Sequence, residues 1–147
     1  MDRRARNAEL RPTNDYESMV RLGRQAGLEI EQLGPVLDAY GLFENDKMVG
    51  CACLREREGA YLLECLAVSE RFRGIGLGTK LVRAVEADAK ARGATRLRAL
   101  ARSPGFFLKI GYRVANPMEV DYPSTASCGG CPQLNKSCFP SVVIRDL

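Results

Sequence analysis

The segment Arg73-Gly74-Ile75-Gly76-Leu77-Gly78-Thr79-Lys80 gathers three alternate glycines, a guanidinium and a hydroxyl between an apolar run and a helical pattern. With no Cβ atoms in the way, the backbone N–H groups of such a turn can approach a ligand closely, and the helix that follows adds partial positive charge. This arrangement suits a pyrophosphate or similar anion, with Arg73 contributing charge and Thr79 a hydroxyl. A turn placed only for packing is the competing reading. Two other phosphate-binding schemes do not fit. A Walker loop ends in Gly-Lys-Ser/Thr, whereas the order here is Gly78, Thr79, Lys80, and the dinucleotide frame GxGxxG is replaced by GxGxG.

Histidine is absent, which removes Ser-His-Asp triads, Cys-His pairs and imidazole metal sites. Proton transfer must then use Glu, Asp, Tyr, Cys or Lys. Glu64 is the one carboxylate in the apolar run AYLLECLAV (60–68), where it can serve as a base or pair with an arginine, and the sequence leaves both open. Regular alternation would turn Cys65 to the opposite face from Glu64, into the core. Tyr112 reads as a core aromatic rather than an acid. In CGGCPQLNKSC, two residues separate Cys128 from Cys131 and six separate Cys131 from Cys138. Three thiolates can hold a soft ion, yet a closed zinc site wants four ligands. No metal is expected; a soft-ion site, one disulfide with a free thiol, or simple packing all stay open for these cysteines.

The chain has 147 residues, the size of one domain, with 46% hydrophobic and 27% charged residues. That composition argues against a disordered tail, a collagen-like repeat and a membrane protein. The 22 Lys and Arg against 18 Asp and Glu are scattered along the chain, so a nucleic-acid partner is not implied. The charged opening MDRRARNAELRP has no apolar run suited to a signal peptide or membrane span, and the cysteines lack the density of secreted scaffolds. A cytoplasmic protein with reduced thiols is expected.

These residues must be positioned by a short series of elements. Residues 8–12 read as a strand, followed by a helix capped by Asn14 or Asp15, carrying Met19, Val20 and Leu22 and ending near Gly27. Leu33, Val36 and Leu37 suggest a second short helix, and 39–55 reads as a hairpin bent at Asn45 and Asp46. The run 60–68 reads as a central strand buried on both faces. After the glycine turn, Leu81, Val82, Val85 and Ala89 recur at helical spacing up to a stop at Gly93. Arg96 to Leu100 suits a strand, Pro104 to Ile110 a short helix, Tyr112 to Ala115 a strand, 116–140 a loop, and SVVIRDL a closing strand.

With these elements in order, LAVSERFRGIGLGTKLVRAVEADAKARG followed by FFLKIGY resembles the GNAT N-acetyltransferases, whose cofactor motif Q/RxxGxG/A follows a strand of the LAV type. Of two registers, Arg73-Gly76-Gly78 fits better than Arg71-Gly74-Gly76, because it keeps a five-residue step from Val68 to the arginine. QAGLEIEQL, the FF before GY and the terminal Asp146-Leu147 are closest to the arsenic-resistance N-acetyltransferase and N-acetylglutamate synthase branch.

The resemblance implies a single α/β (α+β) domain over 1–147, with a mixed, mostly antiparallel sheet flanked by helices and a Cys-bearing loop at about 116–140. It implies acetyl transfer from acetyl-CoA to a primary amine, of a small amino acid or a similar small molecule. Arg73, Gly74, Ile75, Gly76, Leu77, Gly78 and Thr79 would hold the pyrophosphate. Leu66, Ala67 and Val68 would line the pantetheine arm on a strand end that splays from its neighbour, Phe106, Phe107 and Lys109 would complete the cofactor pocket, and Glu64 would take the amine's proton. The tyrosine that many members use as acid is Phe107 here, which leaves that role vacant. An acceptor carboxylate would want an arginine, for which Arg24, Arg55, Arg57, Arg96 and Arg98 are candidates. Many members dimerise through sheet edges or C-terminal strands, so a homodimer is one expectation. The rival readings are a CoA-binding regulator without turnover and a thiol-based metal or metalloid module on the same scaffold.

Overall fold

In a computed structural model, which describes residues 3–28, 35–102, 104–116, 118–119 and 141–147, apolar side chains pack on both sides of one sheet. The elements in chain order are α1 (Arg3–Asn7), β1 (Ala8–Pro12), α2 (Tyr16–Gln25), β2 (Asp38–Glu44), β3 (Lys47–Arg57) and β4 (Ala60–Val68). A 3₁₀ turn at Glu70–Phe72 leads into α3 (Leu77–Ala91), β5 (Arg96–Ala101), α4 (Gly105–Lys109), β6 (Arg113–Val114) and β7 (Ser141–Asp146). The strand order is β1-β2-β3-β4-β5-β7-β6, antiparallel except for β4 and β5. This is the single α+β domain the sequence suggested.

Local chemistry explains most of these elements. Asp15 caps α2 by accepting from the Ser18 N–H at 3.1 Å and the Ser18 hydroxyl at 2.6 Å. Asn45 at φ 56° and Asp46 form the two-residue turn between β2 and β3, and Glu58 at φ 50° with Gly59 at φ 85° does the same between β3 and β4. Helix α3 buries Leu77, Leu81, Val82, Val85 and Ala89 against β2, β3 and β4, and its chain turns away at Gly93. On the other face, α2 buries Met19 and Leu22 against β3 and β4, beside Cys51 and Cys53.

Three expectations change. Val36 and Leu37 are not helical but lead into β2, where the Leu37 N–H bonds the Leu54 carbonyl at 2.8 Å; Leu33 lies outside the described residues. Helix α1 was not anticipated, because its charged residues carry no apolar period. The burial expected throughout β4 falls off beyond Leu63: Glu64, Cys65, Leu66 and Val68 are half-buried. The reason is that β4 and β5 pair at Leu62 with Arg98 and Leu63 with Ala99, and the pairing ends there. Cys128, Cys131 and Cys138 lie outside the described residues.

Candidate active site

Beyond Leu63 the C-terminal end of β4 borders an opening where it no longer pairs with β5. The Ser69 N–H donates to the Val49 carbonyl on β3 at 2.8 Å. Since backbone groups alternate in direction along a strand, the N–H group of Val68, next to Ser69 and outside the bulge, points away from β3, toward the open side. A β-bulge adds to the irregularity. Cys53 pairs with Glu64 and Cys51 with Ala67, so Cys65 and Leu66 together oppose Ala52. Cys65 has φ 56°, in the left-handed region that disfavours residues with a Cβ.

The bulge overturns the expected placement of Cys65. Instead of lying on the far side from Glu64, it joins Met19, Cys51 and Cys53, and Cys53 is the register partner of Glu64. The Cys51 Sγ approaches the Cys65 carbonyl at 3.4 Å. A hydrogen bond from the Cys51 thiol to Cys65 pushes the first thiol's pKa up and holds the second below its ordinary value. Burial pushes Cys53 up.

Glu64 itself is ion-paired. Arg55 donates to its Oε2 at 2.8 Å, and Arg57 Nε stands 3.9 Å from Oε1. The ion-paired reading of this carboxylate is the one observed, and the pair lies on the residue that begins the unpaired end of β4.

The glycine turn follows directly. Arg73 folds back so that its Nε donates to the Val68 carbonyl at 2.8 Å, joining the turn to the end of β4 across the expected five-residue step. Gly74 at φ 76° and Gly76 at φ 87° adopt conformations open to glycine, and a Cβ at either would meet nothing within 4 Å. Gly76 is the N-cap of α3, whose first-turn N–H groups are unpaired within the helix. Open space beside free N–H groups at a helix start is what a pyrophosphate needs, and these residues fit one. Leu77 is buried and Ile75 half-buried, so their side chains anchor the turn; Thr79 is half-buried in the first turn of α3.

Helix α4 brings one of its two phenylalanines to this turn. A Cβ on Gly78 would lie 3.3 Å from the Phe106 ring and 3.9 Å from Val68. Phe107 is instead a core residue, edge-on to both Phe106 and Tyr112 at 5.1 Å between ring centroids. Lys109 is exposed at the last turn of α4. Tyr112 is buried and donates to Glu86 Oε2 at 2.7 Å, and burial with that hydrogen bond drives its pKa far up. It is the core aromatic the sequence suggested. Among the described residues no group of His, Cys, Asp and Glu is arranged to hold a metal ion, and no helix is long and apolar enough to cross a membrane.

A sheet that opens beside a glycine turn defines a class, and comparison with known proteins agrees. Residues 7–112 match the Acetyltransferase (GNAT) family, and the chain belongs to it. Acetyl-CoA is the substrate of GNAT acetyltransferases. The chain is 35% identical over 107 residues to the amino-acid acetyltransferase of Shewanella oneidensis, covering 70% of this chain and 23% of that protein. It therefore spans less than a quarter of that relative's length. N-acetylglutamate synthase from Neisseria gonorrhoeae, complexed with coenzyme A and N-acetyl-glutamate, shares the fold at a TM-score of 0.73 and 23% identity, over 95% of this chain and 35% of that one. A GNAT family acetyltransferase from Elizabethkingia anophelis with acetyl-CoA bound gives a TM-score of 0.64 at 18% identity, over 96% and 99% of the two chains.

Sequence reasoning missed Arg55 as the partner of Glu64 and the bulge at Cys65. The signal for the first was present in the two-residue turn at Glu58-Gly59, which sets the β3–β4 register. The bulge had no sequence signal, since left-handed backbone is ordinarily sought at glycine or asparagine.

Proposed function

We propose that this protein transfers the acetyl group of acetyl-CoA to the primary amine of a small amino acid or amino-acid-like compound. The observation that carries the reading is the end of β4–β5 pairing at Leu63 and Ala99, with Glu64 at the start of the opening and the glycine turn at its far end. Gly74, Gly76, Gly78, Arg73 and Thr79 hold the pyrophosphate, with the backbone of Ile75 and Leu77 between them. The backbone N–H groups of Leu66 and Val68 hold the pantetheine arm and the acetyl oxygen, with Ala67 between them on the strand. Phe106 covers the arm beside Gly78, Phe107 supports it from the core, and Lys109 meets the cofactor's outer charges.

The chemistry is one displacement. The neutral amine nitrogen attacks the thioester carbonyl carbon, a C–N bond forms and the C–S bond breaks. A proton passes from nitrogen to the Glu64 carboxylate, the departing thiolate takes one from water to leave as CoA, and the proton on Glu64 returns to the hydroxide so formed. Backbone N–H groups aimed at the carbonyl oxygen stabilise the negative charge that develops there. The relatives that are amino-acid acetyltransferases favour an amino-acid acceptor.

Mass spectrometry after incubation with acetyl-CoA and a mixed panel of amino acids, polyamines and amine-bearing arsenicals tests the proposal. The expected result is one acetylated amine, with turnover falling by roughly 10²- to 10⁴-fold in Glu64→Gln while acetyl-CoA binding is kept. Saturable acetyl-CoA binding with no product from any amine would overturn it in favour of a regulator.

A further inference from the structure

Glu64 faces more positive charge than it can neutralise. Arg55, Arg57 and Glu64 project from one face of β3 and β4, since the register pairs Cys53 with Glu64, Arg55 with Leu62 and Arg57 with Ala60. The cluster is well shielded, with the three side chains 13%, 31% and 21% exposed. Among the described residues, two cations share one carboxylate there. The Nε atoms of both arginines are buried without a hydrogen-bond partner and out of a ligand's reach, so an acceptor group can meet only the part of each side chain that stays exposed. The other arginines considered for an acceptor are committed elsewhere: Arg96 pairs with Asp146 at 2.9 Å and Glu119 at 3.6 Å, and Arg24 and Arg98 have contacts of their own.

We infer that Arg55 and Arg57 hold the carboxylate of the acceptor while Glu64 receives its amino group, so that the site selects a zwitterionic amino acid over a simple alkyl amine. The guanidinium fork matches a carboxylate in plane and charge. The added anion also brings the local charge to balance before the amine reacts. This rests on the acetyl-transfer reading for its chemistry, but the binding can be tested separately.

One arm measures kcat/KM for the twenty L-amino acids and for their decarboxylated amines. The preferred amino acid is expected to exceed its own decarboxylated amine by about 100-fold, and Arg57→Gln to lower that preference by about tenfold or more. Arg55→Lys, which keeps the charge beside Glu64 but loses the fork, is expected to lower it in the same direction, guarding against a variant that merely misfolds. The second arm needs no turnover: calorimetry in the presence of CoA compares N-acetyl-amino acids with N-acetylalkylamines. Binding that requires the carboxylate and weakens about tenfold in Arg57→Gln supports the inference even if no acceptor is acetylated, in which case the transfer reading alone fails. Equal handling of acids and amines in both arms, or carboxylate-dependent binding unmoved by either variant, overturns it.

Discussion

Two polar side chains in apolar surroundings, Glu64 and Tyr112, have different prospects because of what lies within 3 Å of each. The Tyr112 hydroxyl is spent on Glu86, which also accepts from Arg83 at 2.9 Å, and Arg83 and Arg145 both reach the Ile110 carbonyl at 2.7 Å. This network ties α3 to the end of α4 and to β7. Tyr112→Phe should therefore cost about 1 kcal/mol in urea unfolding and leave acetyl-transfer kinetics unchanged. A fall in kcat with intact stability would instead make Tyr112 an acid. The core role of Tyr112 was legible from its place in FFLKIGY, and the carboxylate of Glu64 was legible from its isolation in an apolar run. Pairing with an arginine was one of the two readings of Glu64, but which arginine was not read, because a partner nine residues away follows from the strand register set by the Glu58-Gly59 turn.

Among the elements, α2 and α3 are started by different chemistry, and their tests differ accordingly. Asp15 caps α2, and the Ser18 hydrogen bonds hold its carboxyl below the ordinary value. A carboxyl lowered on folding stabilises the fold above its unfolded pKa and loses that contribution as pH falls through the folded one. Asp15→Ala should thus cost about 1 kcal/mol at neutral pH. The difference from wild type should shrink as urea titrations are taken below the ordinary carboxylate value of 3.8. Helix α3 has no side-chain cap and begins on Gly76 at φ 87°. Gly76→Val should strain that backbone by about 1–2 kcal/mol, with open space around the added Cβ, leaving a folded protein. Acetyl-CoA binding by calorimetry should be abolished; unchanged affinity would remove the turn from the cofactor site. The glycines, the cap at Asp15 and the apolar stripe of α3 were all readable because each is a local signal. The lower burial at the end of β4 was not, since it depends on where β5 stops pairing.

At the scale of the whole molecule, β7 decides whether the far half of the sheet exists. It lies between β5 and β6 and buries Val142, Val143 and Ile144 almost completely. Three such side chains contribute on the order of 5–9 kcal/mol by burial, comparable to the net stability of an ordinary domain. Removal of residues 141–147 should therefore abolish the cooperative thermal transition followed by circular dichroism. SVVIRDL reads as a strand from sequence alone, but its position inside the sheet requires contacts across some fifty residues, as between Arg96 and Asp146, and no local pattern carries that information.

The abrupt end of β4–β5 pairing has a mechanical side. Helices α2 and α3 pack mainly on the strands up to this line, while β5, β7 and β6 form a second plate whose backbone is joined to the first at two register pairs and whose side chains meet α3 through the shared core and the Glu86 network. A seam this short opens pair by pair under tension, unlike a long antiparallel border that must shear all its bonds together. Pulling β1 and β7 apart loads that seam, and a ligand bridging its two sides would act as a rivet.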